Sequence, residues 1–168
     1  MTARIYVGTY AKYNSGSIAG AWLDLEDYAD RDAFLEACRE LHKDESDPEL
    51  MFQDFEGFPR GFYSEGSAPP DELWEWLELD EDEQELLAVY QEHIDSAGTI
   101  ENARDSFSGK FNSPEDWAAD WLEQTDELSE IPERLRNYFD FEAYARDAGF
   151  EGVSFIRHGG DVWVFLAV

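Results

Sequence analysis

Between Arg60 and Arg104 lie 43 residues without a single Lys or Arg, and 13 of them are Asp or Glu. The densest part, "DELWEWLELDEDEQE" from Asp71 to Glu85, holds nine carboxylates in fifteen residues. Glu75, Glu78, Asp82 and Glu85 follow one another at helical spacing, where each like-charge neighbour costs a few tenths of a kcal/mol. Such a stretch folds only if apolar residues on its other side hold it to a core. Leu73, Trp74, Leu77, Leu86 and Leu87 are spaced to do so.

The rest of the chain can supply that core. It has 168 residues, 43% of them apolar, and 26 aromatic residues counting Phe, Trp and Tyr together. This composition fits a folded protein despite its formal net charge of −28. A field of that sign repels nucleic acid and anionic membranes as direct ligands and favours basic protein surfaces as partners. Cys38 is the single cysteine, so no disulfide framework exists. It shares a helical stripe with Phe34 and Leu41, as a buried structural thiol does. No run of about 18 apolar residues occurs and the first residues lack a signal-peptide pattern, so a reducing cytoplasm is expected.

Three segments are expected, in an α+β chain. Residues 1–60 form a mixed α/β N-terminal part, 61–103 an acidic helical middle, and 104–168 a mixed α/β C-terminal part. In the first, "ARIYVGTYAKY" and "IAGAWLDL" read as strands around the turn "NSGS". Asp30 caps a helix running to about Lys43, and "LMFQDFEGF" closes a β-β-α-β unit. In the second, Pro69 and Pro70 lead into a short helix, and Asp80 with Glu83 has capping-box spacing for another through "LLAVYQEHI". In the third, Ser113, Pro114 and Asp116 mark the start of a helix in "SPEDWAADWLEQ". "IPERLRNY", a helix "DFEAYARDAG" ending at Gly149, and the strands "GVSFI" and "DVWVFLAV" joined by "RHGG" follow. The acids and bases number 13 and 6, then 13 and none, then 14 and 6, so the charge is concentrated in the middle.

Most chemistry has no pattern here. A calcium-binding EF-hand loop beginning at Asp80 needs Gly at its sixth position, which is Glu85. His42, His93 and His158 lack partners at zinc-ligand spacing. "GSIAG" at Gly16–Gly20 lacks nucleophile-elbow spacing, and no phosphate-binding glycine loop occurs. Paired carboxylates for sugar hydrolysis arise by chance among 40 acids. Trp117 and Trp121, four apart, read as core anchors, as do Tyr6, Tyr10 and Tyr13. No catalytic residue, metal ligand or cofactor is expected.

Charge spacing is more telling. At about 1.5 Å of helix rise per residue, nine charges occupy roughly 21 Å, or one per about 2.3 Å. Duplex DNA presents one per roughly 1.7 Å. A rigid polycarboxylate face of this kind can compete for a basic DNA channel, whose affinity rests on neutralising phosphates. Composition alone also fits a binding module for a basic protein in a high-salt-adapted proteome, since only Lys12, Lys43 and Lys110 are lysines.

The stretches "RIYVGTYAKYNSGSIAGAWLDL", "FQDFEGFPRGFYSE" and "IPERLRNYFDFEAYARDAGF" resemble the ArdA antirestriction family in order and spacing, over nearly the whole chain. The resemblance implies a non-enzymatic cytoplasmic inhibitor carried by mobile elements. It implies an elongated, curved rod-like homodimer of three small domains that mimics bent DNA and occupies the DNA-binding groove of type I restriction-modification enzymes. The family's functional feature is a distributed acidic surface. It carries over to Asp71, Glu72, Glu75, Glu78, Asp80, Glu81, Asp82, Glu83, Glu85, Glu92 and Asp95, and to Glu115, Asp116, Asp120, Glu123, Asp126 and Glu127. Residues Glu115 to Glu127 are similar to the family's acidic antirestriction segment, which is also associated with dimer contacts.

Overall fold

The computed structural model describes residues 2–167, an α+β chain that divides into two compact units, 1–84 and 85–168. The stretch expected as a middle segment, 61–103, is split between them.

The first unit is built on an antiparallel sheet of order β2-β1-β3, made of β1 (Arg4–Thr9), β2 (Ala21–Asp24) and β3 (Leu50–Glu56). Strand β1 is central, so Ile5 and Val7 are fully buried. A bulge between Tyr6 and Val7 lets Gln53 of β3 stand without an opposite residue. The strand expected to continue to Tyr13 stops at Thr9. The Thr9 hydroxyl accepts from the Lys12 amide and caps the short helix α1 (Tyr10–Asn14). A local cap thus outcompetes the β propensity of Tyr10 and Tyr13. Helix α2 (Arg31–Leu41) begins where Asp30 accepts from the Ala33 amide at 2.8 Å, as expected. It lays Phe34 and Cys38 on the sheet against Ile5, Val7 and Phe52. Helix α3 (Glu72–Leu77) packs on the same core through the fully buried Leu73, with Trp74, Trp76 and Leu77 partly buried around it.

Helix α4 (Glu81–His93) spans the division at residue 84. The second unit has an antiparallel sheet of order β4-β6-β5, from β4 (Phe107–Phe111), β5 (Ser154–His158) and β6 (Asp161–Phe165). Strands β5 and β6 are joined through Gly159 and Gly160, with φ of 60° and 88°, the pair of positive angles that a two-residue type I′ hairpin needs. Alternation along β6 builds two cores. Trp163 and Phe165 face Val89 and Tyr90 of α4 and Ala103 of α5 (Ile100–Ser106). Val162 and Val164 face Trp117 and Ala118 of α6 (Pro114–Gln124) and Ala145 of α7 (Phe141–Phe150). The sheet is therefore covered on both faces.

Ser113 caps α6 by accepting from the Asp116 amide at 3.1 Å, with Pro114 at its first position, as the sequence predicts. "IPERLRNY", to which the sequence assigns no element, forms a 3₁₀ helix, Glu133–Tyr138. Strand β4 has no counterpart in the sequence reading: it is short, and Gly109 and its bulge disguise its alternation.

Candidate acidic interaction surface

Helix α3 separates its residues by character. Leu73, Trp74, Trp76 and Leu77 turn into the core, while Asp71, Glu72, Glu75 and Glu78 remain exposed. Trp74 fixes the helix by a polar contact as well, its indole Nε1–H donating to the Tyr28 carbonyl at 3.1 Å. Arg31 lends its Nε–H to the Pro69 carbonyl at 3.0 Å and holds the entry to the helix.

The run is two helices rather than one rod. Between α3 and α4 the chain is closed by hydrogen bonds from a neutral side chain and a carboxylate cap. The Gln84 amide donates to the Trp76 and Leu79 carbonyls, both at 3.2 Å. The Asp80 carboxylate accepts from the Glu83 amide at 2.9 Å and caps α4. Asp80, Glu81 and Asp82 are exposed, and Glu83 is half-buried. Acids in the first turn also favour the positive end of the α4 dipole.

In the second unit Glu85, Glu92, Asp95, Glu115, Asp116, Glu123, Asp126 and Glu127 are exposed. Asp120 is half-buried and accepts from the Gln124 amide one turn on. Helix α6 shows the same division as α3: Trp117, Ala118 and Leu122 are buried, and the Trp117 ring stacks on Trp121 at 5.8 Å between centroids. The Trp117 indole donates to the Ser108 hydroxyl at 3.0 Å. Asp126, with φ of 59°, takes a left-handed conformation that Asp tolerates better than most residues.

Counter-charges are largely engaged elsewhere. Arg4 pairs with Glu56 at 2.8 Å and lies over the Trp22 ring, and Lys43 pairs with Glu40 at 2.7 Å. Arg136 donates to the Ile131 carbonyl, and Arg146 sits 3.7 Å from Asp147. The Glu85 carboxylate meets His158 at 3.0 Å and Lys110 at 3.9 Å.

One cluster has no signal in the sequence. His42, 1% exposed, donates from Nε2 to the Val7 carbonyl at 3.1 Å, which leaves Nδ1 to accept from the Lys12 ammonium at 2.8 Å. The same ammonium reaches Asp44 at 3.0 Å and Glu45 at 3.6 Å, and Thr9 donates to Glu45 at 2.7 Å. Hydrogen bonding to Lys12 is the main cause holding the Asp44 carboxyl below its ordinary value. The ligand atoms of His42, Asp44 and Glu45 lie within 4.8 Å of one another, a spacing that a metal ion could use. The lysine ammonium already contacts all three. Burial pushes the Cys38 thiol up to about 12, which leaves it unreactive at neutral pH.

Among the described residues no helix is long and apolar enough to cross a membrane. Both units thus display carboxylates from helices whose opposite faces are locked into aromatic cores, a surface suited to a cationic partner. No curated protein matches the chain. The model of a family described as antirestriction protein (ArdA) matches residues 5–162, which supports the antirestriction reading rather than the high-salt one. With nearly the whole of its 168 residues inside that match, the chain belongs to the ArdA antirestriction proteins.

Proposed function

We propose that this protein inhibits type I restriction-modification enzymes by occupying the DNA-binding groove of their methyltransferase core. The observation that carries the reading is α3 with the start of α4: exposed carboxylates, no Lys or Arg in the same stretch, and an apolar face fixed on a core. A DNA channel gains much of its affinity from phosphate neutralisation and the counterions released with it. A pre-formed row of carboxylates offers the same gain and needs no base contacts. Because α3 is locked by Leu73 and by the Trp74 hydrogen bond, little ordering entropy opposes binding. The role asks for no catalytic group and no cofactor. The reading includes a cytoplasmic homodimer that protects incoming mobile-element DNA, and the three-part rod that the family resemblance implies.

The test is displacement of a labelled duplex from a purified type I methyltransferase core. Stoichiometric protein releases the duplex at low salt, and the effect fades as salt rises. A duplex that stays bound under a large excess of the protein at low salt overturns the reading.

A further inference from the structure

Glu85 lies in the acidic run and is held by two side chains of the second-unit sheet. Its Oε1 accepts from Nε2–H of His158 at 3.0 Å, and its Oε2 lies 3.9 Å from the Lys110 ammonium. Both partners rest on one buried ring. Lys110 Nζ sits 4.2 Å from the Trp163 centroid, and the His158 imidazole meets the same indole edge-on at 5.3 Å. Strand register explains the convergence. Lys110 of β4 is opposite Trp163 of β6, while Ile156 and His158 of β5 point to the same sheet face. That face carries Leu86, Val89 and Tyr90 of α4, so Glu85 meets the sheet where the helix docks on it.

We propose that Glu85 is a positioning residue, which ties the second-unit turns of α4 to the sheet, and is not one of the carboxylates that stand in for phosphates. The Lys110 ammonium and the His158 N–H already engage its two oxygens within the fold, so a basic groove gains less from it than from a carboxylate without such partners. Its value is instead as a hydrogen-bond acceptor of a particular length. Glu78, exposed and outside this clamp, is the natural comparison.

The inference rests on the reading of the surface as a DNA substitute, but one arm of its test does not. Two substitutions separate charge from reach in the full chain. Glu85→Gln removes the charge and keeps an acceptor at the same distance. Glu85→Asp keeps the charge and falls one methylene short of His158. Amide hydrogen exchange over residues 86–93 is expected to quicken by about threefold in Glu85→Asp and to stay near wild type in Glu85→Gln. Duplex displacement from the methyltransferase core follows the same order, weaker for Glu85→Asp and unchanged for Glu85→Gln, whereas Glu78→Gln is weaker than Glu78→Asp. The opposite order at Glu85, with exchange unaltered by Glu85→Asp, places it in the phosphate-like row and overturns the proposal. If the wild-type protein displaces no duplex at all, the inhibitory reading fails, and the exchange measurement still decides whether Glu85 anchors the helix.

Discussion

The Trp74 indole donates to the main-chain carbonyl of Tyr28 at 3.1 Å, while its ring lies 5.9 Å from that of Phe34. One side chain therefore joins the acidic helix α3 both to the segment preceding α2 and to the core beneath α2. An unusually acidic helix with no cation of its own is held from below, and its stability depends on that one face.

Removing the hydrogen bond alone is expected to be mild. Trp74→Phe lowers the unfolding free energy by about 1 kcal/mol, the net worth of one such bond. Trp74→Ala removes the packing as well and costs about 2–4 kcal/mol, and Leu73→Ala falls in the same range. Urea denaturation followed by far-ultraviolet circular dichroism measures all three; equal midpoints for Trp74→Ala and wild type would show that α3 is held by something else.

Alkaline pH should destabilise the fold through Cys38. In the unfolded chain its thiol ionises near 9.0, whereas burial raises it to about 12 in the fold. Between those values the native state keeps a proton that the unfolded state has lost, so stability falls as pH rises. The slope is at most about 1.4 kcal/mol per pH unit for this one group. Burial raises Tyr28, Tyr63 and Tyr144 too, which steepens the loss at the upper end. Cys38→Ala is expected to flatten the decline of the denaturation midpoint between about pH 9 and 11. Native Cys38 should also resist a thiol reagent that titrates it after unfolding.

Asp44 gives the acid-side counterpart. Its carboxyl is held low chiefly by hydrogen bonding to Lys12, so the contribution is present above the ordinary Asp value near 3.9 and is lost as pH falls through the lower folded value. Lys12→Met should move the Asp44 titration midpoint upward in a carbon-detected NMR titration. An unchanged midpoint would mean that Lys12 does not set it.

Charge neutralisation on α3 should act collectively. Glu72→Gln, Glu75→Gln and Glu78→Gln, taken singly, are each expected to weaken duplex displacement by less than about threefold. The triple variant should lose well over tenfold and show a shallower dependence on salt, with fewer ion contacts to break. One substitution that abolished displacement by itself would point to a discrete contact in place of a distributed field.

The sequence reveals those parts whose signals are local. The caps at Asp30 and Ser113, the apolar stripe of α2 and the glycine pair between β5 and β6 are written in adjacent residues, and each element forms where the pattern places it. Strand β1 is shorter than its β-rich pattern because the Thr9 hydroxyl, at the right distance from Lys12, starts a helix instead. The His42 cluster joins Val7, Lys12, Asp44 and Glu45 across the fold, and spacing in the sequence gives no sign of it. Glu85 is the sharpest case. In sequence it is one more acid in a row, and only the pairing of β4 and β5 with β6 brings Lys110 and His158 to it.

The enclosed Lys12 carries a practical corollary for anyone mapping how this molecule docks. Its side chain is 21% exposed and surrounded by acceptors, whereas Lys43 and Lys110 are exposed at 74% and 41%. Amine-seeking cross-linkers will therefore sample few places on the chain, chiefly around Lys43 and Lys110. Carboxyl-activating reagents, by contrast, find their targets spread over the very helices whose contacts are in question.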